Sequence, residues 1–220
     1  MLYYVLHKKI QKVEERKMKN LGKKLWTMVS VAMLGIAVVG CGGPKVSPSE
    51  SMTIMLDAIC KGDDTKVESI GLKKDEVKEV RDMMAKQAED GVTQLGLNVD
   101  DETKGLVVES TFTLLEKLEY TAETKSEDGD SATVELKVKG VDIDKIREDL
   151  NGELEKYVAE HKDVKEDELL KYMFQKQIEL IKSTPLKDEE VKTLTVTKNG
   201  KVWEPKKDEL LGILKEVMGQ

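Results

Sequence analysis

Twice along this chain the hydrophobic period changes from that of a helix to that of a strand, and no other feature of the sequence limits the fold so tightly. In "LEYTAETKSEDGDSATVELKVKG", residues 118–140, Ala132, Val134, Leu136 and Val138 alternate with Thr133, Glu135, Lys137 and Lys139. Period two is a strand with one buried and one wet face. Glu127–Asp130 supplies the Asp and Gly that a tight turn uses. The change recurs in "EVKTLTVTKNGKVWEP", residues 190–205, where Asn199-Gly200 marks a hairpin tip and Pro205 ends the strand.

Around these hairpins the period is helical. A first helix carries Met52, Leu56, Ile59 and Cys60 and ends at Gly62; "GDDTKVESIGL" follows as a turn with a short helix. Lys73–Asp90 places Val77, Val80, Met84 and Ala88 on one stripe, and Asp101–Leu118 places Val108, Phe112, Leu115 and Leu118 on another. Asp75, Glu76, Asp101 and Glu102 stand in first turns, where the helix dipole favours carboxylates. Between the hairpins, Asp144–Lys162 carries Ile146, Leu150, Leu154 and Val158, while Glu166–Ser183 carries Leu170, Phe174, Ile178 and Ile181. A closing helix carries Leu210, Leu211, Leu214 and Val217. The expected fold is α+β, an antiparallel sheet from two β-hairpins packed against amphipathic helices and covered on one face. Residues 52–220 are expected to form a single domain.

The front of the chain reads differently. Leu25 to Gly40, "LWTMVSVAMLGIAVVG", is sixteen residues without a charge. That is short for a membrane span, which needs about 20 apolar residues, and it suits the apolar core of a secretory leader. Lys17, Lys19, Lys23 and Lys24 stand just before it as such leaders require. The block Val38-Val39-Gly40-Cys41 resembles the lipobox of bacterial lipoproteins. That resemblance implies lipid on the Cys41 thiol and cleavage between Gly40 and Cys41. Met18 begins a leader of ordinary length, so residues 1–17 read as a translated upstream extension and 18–40 as the signal peptide. Residues 41–51, the lipidated cysteine and "GGPKVSPSES", read as a flexible tether.

From Cys41 onward the chain holds 28 basic and 41 acidic side chains, a net charge near −13. Such a chain repels nucleic acid and anionic headgroups, so no nucleic-acid partner is expected and membrane residence would rest on a diacylglyceryl anchor. Cys41 and Cys60 are the only cysteines; with Cys41 lipidated no internal disulfide forms, and Cys60 reads as a buried thiol on its helix.

The layout resembles small lipoproteins of Gram-positive bacteria built on a domain of unknown function with a cystatin-like, nuclear-transport-factor-like fold. The carriers of that resemblance are "SPSESMTIMLDAICKGD" after the lipobox and "TLTVTKNGKVWEP" with its Trp203. It implies anchorage at the extracytoplasmic face of the cell membrane and a pocket between sheet and helices, but no activity.

Chemistry is sparse. His161, in "AEHKDVKED", is the one histidine after the leader and reads as solvated. No glycine-rich phosphate loop, Cys-x-x-Cys or His-Glu-x-x-His occurs, so neither cofactor nor metal is expected. The cluster "EDGDS" (Glu127, Asp128, Asp130, Ser131) offers oxygens to Ca²⁺ but lacks the twelve-residue EF-hand frame, and a turn explains it. Asp63-Asp64 and Asp188-Glu189-Glu190 read as turn or helix-start acids. Trp203 reads as sheet packing or, with Tyr120, Tyr157 and Tyr172, as the lining of a pocket. No catalytic residue is assigned and no enzyme is expected. The reading is a lipid-anchored extracytoplasmic module that binds an envelope protein or peptide. The alternatives are a small-molecule or lipid carrier using the pocket and a hydrolase using carboxylates.

Overall fold

The computed structural model describes residues 44–94, 99–206, 209 and 213. The leader, Gly40, Cys41 and most of the expected closing helix, including Leu210, Leu211, Leu214 and Val217, lie outside them. Glu209 and Ile213 are helical, and Ile213 is buried in the main core.

Helix α1 spans Pro48–Leu56 and continues as one π-helical turn, Asp57–Lys61, to Gly62 at φ 69°. It starts before Met52 because "SPSE" is a helix start rather than tether: Ser47 Oγ accepts the Glu50 N–H at 3.2 Å, and Pro48 sits where its missing N–H costs nothing. Val46 already packs on the apolar cluster of Ile54, Met55, Ala58 and Val202. A 3₁₀ turn, Val67–Ile70, leads to α2, Lys74–Gln94, and α3, Asp101–Glu116. The acids at 75, 76, 101 and 102 stand in first turns, and Asp100 caps α3 by accepting the Thr103 N–H at 2.7 Å.

Strands β1, Glu119–Asp128, and β2, Ser131–Lys139, form the first hairpin, and β3, Glu190–Asn199, and β4, Val202–Pro205, the second. Between them lie α4, Ile143–Glu160, and α5, Glu166–Ser183. The sheet is antiparallel with order β1-β2-β3-β4, so β2 pairs β3 across the whole helical excursion. The molecule is α+β, as the pattern requires. The second tip departs from a central Asn-Gly: its loop is Gly200-Lys201 and that of the first tip Gly129-Asp130, with φ 60° and 58° at the glycines and no other residue of either loop at positive φ. A glycine alone at the first central position is the sign pattern of a II′ turn, and Asn199 pairs with Val202 as the last rung.

One sheet face carries Ala132, Val134, Leu136, Val138, Leu194 and Val196, all buried against α1, α2 and α3. Two contacts fix α1 along β1: Thr124 Oγ1 accepts the Ser49 N–H at 3.1 Å, and Tyr120 Oη donates to Asp57 Oδ1 at 2.7 Å. Eight helical residues rise about 12 Å and four strand residues about 13 Å, so helix and strand stay in step. Ser51, fully buried, accepts the Trp203 N–H at 3.2 Å and ties the same helix to β4. Over the other sheet face, with Thr121, Glu123, Glu135, Lys137 and Thr193, the described residues form no layer.

The helical stripes fit unevenly. In α2 all four expected residues are buried. In α3 the more buried side carries Thr103, Val107 and Ser110, while Val108 and Phe112 are half-buried, because α3 lies between α2 and α5 and packs on both. In α4 only Ile146 is buried; Leu150, Leu154 and Val158 are half-buried on an outermost helix whose main neighbour is α5.

Candidate functional site

Among the described residues, three places stand out for the polar side chains they bring together. The first is the π-helical turn at the end of α1. A π turn sets Asp57 and Lys61 facing each other at 3.1 Å, and Asp57 also takes the Tyr120 hydroxyl. Lys61 Nζ lies 4.4 Å from the Tyr120 ring centre. Burial, then the bond to Asp57, pushes the Tyr120 hydroxyl well above the usual phenol range. Behind them Cys60 is buried, and burial pushes its thiol up to about 12. It stays protonated at neutral pH and is not a nucleophile. Arg81 closes the turn: Nη1 donates to the Ile59 carbonyl at 2.6 Å, and its guanidinium lies 4.2 Å from the Phe112 ring centre. A Cβ on Gly62 would meet that guanidinium at 3.2 Å, so glycine is required there by space as well as by φ.

The second is the pair of hairpin tips. Lys198 Nζ donates to the Gly129 carbonyl at 2.7 Å and lies 3.6 Å from Glu127, 4.0 Å from Asp130 and 4.7 Å from the Trp203 ring centre. Glu127 and Asp130 of "EDGDS" therefore face an ammonium of the chain itself. Trp203, 2 % exposed, is a core anchor below.

The third is a cleft of about 540 Å³ between α4 and α5, edged by Glu148, Asp149, Glu153, Glu179, Lys156 and Lys176. Leu180 and Gly152 share its walls with charged pairs, Lys156–Glu153 at 3.0 Å within it and Lys145–Asp149 at 3.1 Å at its edge. Beyond it Tyr157 stacks between Tyr172 and His161, ring centres 3.8 and 4.3 Å away, and His161 stays exposed at the end of α4.

The four aromatic residues expected to line one pocket thus fall into two groups. Tyr120 packs at the edge of the cluster that holds Trp203, whereas Tyr157 and Tyr172 pair on the α4–α5 hairpin. Their spacing in sequence gave no sign of this, because helix–helix stacking and sheet packing use the same residues. Sequence reasoning also missed Lys117, whose ammonium donates to the carbonyls of Ile181, Lys182 and Thr184 at the end of α5. A lone lysine after an amphipathic stripe carries no signal that it turns inward. Among the described residues no three His, Cys, Asp or Glu side chains are grouped to hold a metal ion, and no helix is long and apolar enough to cross a membrane.

Residues 45–210 match the model of a family described as a domain of unknown function, DUF5105. A search of the curated proteins finds no match. Among solved structures the fold is similar to that of a Bacillus subtilis protein described as "a putative lipoprotein (ycdA)", with a TM-score of 0.62 and 22% identity over 77% of this chain. The chain spans 55% of that protein's length.

Proposed function

The chain belongs to the DUF5105 family, and from that premise we propose that it is a lipid-anchored module at the extracytoplasmic face of a Gram-positive-type cell membrane. It holds an envelope protein or peptide and performs no chemistry of its own. The anchor is a diacylglyceryl group on Cys41 after cleavage behind Gly40. Support comes from the lipobox with its basic and apolar lead-in and from the lipoprotein description given to the Bacillus subtilis neighbour. A helix leading into an antiparallel sheet that packs along it agrees with a cystatin-like, nuclear-transport-factor-like frame.

The observation that carries the binding reading is the open sheet face. It is wide, rigidly backed, and dressed with Thr121, Glu135, Lys137, Thr193 and Val191, the last 53 % exposed. Lys125–Glu135 at 3.1 Å and Lys137–Glu189 at 3.7 Å pre-order its charges, which suits a polar partner.

Native mass spectrometry on protein extracted from its own membranes tests this reading. The expected species starts at lipidated Cys41, and its complex with a protein is released by Lys137→Glu. A stoichiometric small adduct instead makes the chain a carrier, and a mass retaining Met18 or Met1 removes the anchor.

A further inference from the structure

We infer that the domain stands on an anionic bilayer with its two hairpin tips, residues 125–131 and 198–201, nearest the headgroups. The inference rests on the lipid-anchored reading and adds an orientation and a contact surface to it. Three observations carry it.

The first is where the chain enters the fold. The first turn of α1 is clamped at Thr124 by Ser49 and at Trp203 by Ser51, and Val46 is already seated on the core. Val46 stands five positions after Cys41, a reach of at most about 18 Å fully extended. The second is the direction of the strands. Beyond Thr124, β1 continues four residues to Asp128, about 13 Å. It does so on the side where α1 begins, because Tyr120 marks the other end of the helix. The β3–β4 tip lies beside it, since Lys198 N–H donates to the Asp130 carbonyl at 2.9 Å. A tether this short next to tips this long brings the tips to the headgroup layer. Gly62, at the far end of α1, is thirteen residues from Ser49, about 20 Å farther out.

The third is charge. The tips hold Lys125, Lys198 and Lys201 against Glu127, Asp128 and Asp130, so they are neutral. The net charge near −13 lies wholly in the rest of the domain. Within the Debye length of about 8–10 Å a headgroup layer acts only on the nearest charges. An anionic surface therefore meets, at the tips, an end that carries none of the net negative charge. The charge expected to keep this chain off anionic lipid is absent from the end beside its anchor. The α4–α5 hairpin, attached where β2 ends at Lys139 and β3 begins at Glu190, then projects away from the bilayer.

The test uses the full lipidated chain in vesicles of phosphatidylglycerol and phosphatidylcholine that carry a headgroup energy-transfer acceptor. Donors are attached at Asp128→Cys on the tip or Lys66→Cys at the far end, with the mass recorded for each. Transfer from the tip label is expected to be several-fold the stronger, and the gap should narrow in purely zwitterionic vesicles. Equal or reversed transfer in a chain whose mass shows lipid on Cys41 overturns the orientation and leaves the anchor standing. Membrane association without lipid on Cys41 overturns the anchoring reading, and this inference with it.

Discussion

The sheet with α1 and the helical hairpin α4–α5 are both amphipathic in sequence, yet they are held in different ways. Under the sheet, Met52, Val134, Leu194 and Val196 are fully buried and Trp203 nearly so, because helices lie over one face and α1 over its length. In α4 one residue of its eighteen, Ile146, is buried, and the hairpin leans on α3 through Leu170, Ile181 and the Lys117 clamp. The first region is stabilised by apolar area, the second by a few anchors. Truncation of a core residue should then cost far more in the first. Trp203→Ala is expected to lose about 3–5 kcal/mol, and Leu154→Ala about 1 kcal/mol. Equal losses in denaturant melts would erase the distinction.

The sheet region also holds a thiol and a phenol whose ionisation burial opposes. The Cys60 thiol moves from 9.0 to about 12 on folding. The unfolded chain therefore loses this proton first as pH rises. The contribution to stability is complete below pH 9 and is lost towards pH 12, at about 1.4 kcal/mol per pH unit. Tyr120 is raised too and adds to the same limb at higher pH. Cys60→Ala should flatten the alkaline fall in stability. An unchanged fall would mean that the thiol is not the buried group that yields.

Lys117 sets how firmly the second region is docked. Partial burial lowers its pKa, while three carbonyl acceptors favour the charged form. Replacing it by Met leaves the last carbonyls of α5 without a cation and should cost about 2 kcal/mol. Hydrogen exchange should show the loss as faster exchange in α5, with β2 and β3 unmoved. If the strands exchange faster as well, the two regions open as one.

The uneven holding also explains what could be read from the sequence. Strand alternation and glycine turns report local geometry, so both hairpins, the helices and the one-sided sheet were legible from Ala132–Val138 and Gly200. The capping serine of "SPSE" was legible in principle, since Ser and Glu stand three apart before an apolar run. What escaped was long-range. The pairing of β2 with β3 across residues 140–189 leaves no periodic trace. Nor does the turn of Lys117 towards α5 or of Lys198 towards the "EDGDS" tip, because a lysine that folds inward is spelled like one that does not. The stripe in α4 is a helix signal, and how deeply it is buried depends on what lies beside it.

Gly152 gives the smallest and most discriminating contrast. It lies in the middle of α4, where glycine costs about 1 kcal/mol relative to alanine, and a Cβ there would meet nothing within 4 Å. Gly62, at the end of α1, has φ 69° and Arg81 against it. Gly152→Ala should therefore raise stability by about 0.5–1 kcal/mol, whereas Gly62→Ala should lower it by about 1–3 kcal/mol. The two changes add the same methyl group, so only the surroundings differ. A loosely packed outer helix accepts that methyl; a junction fixed by a left-handed backbone and a guanidinium does not. If Gly152→Ala destabilises instead, α4 lies closer to α5 than an outer helix should, and the cleft between them is a packed joint of the fold rather than open surface.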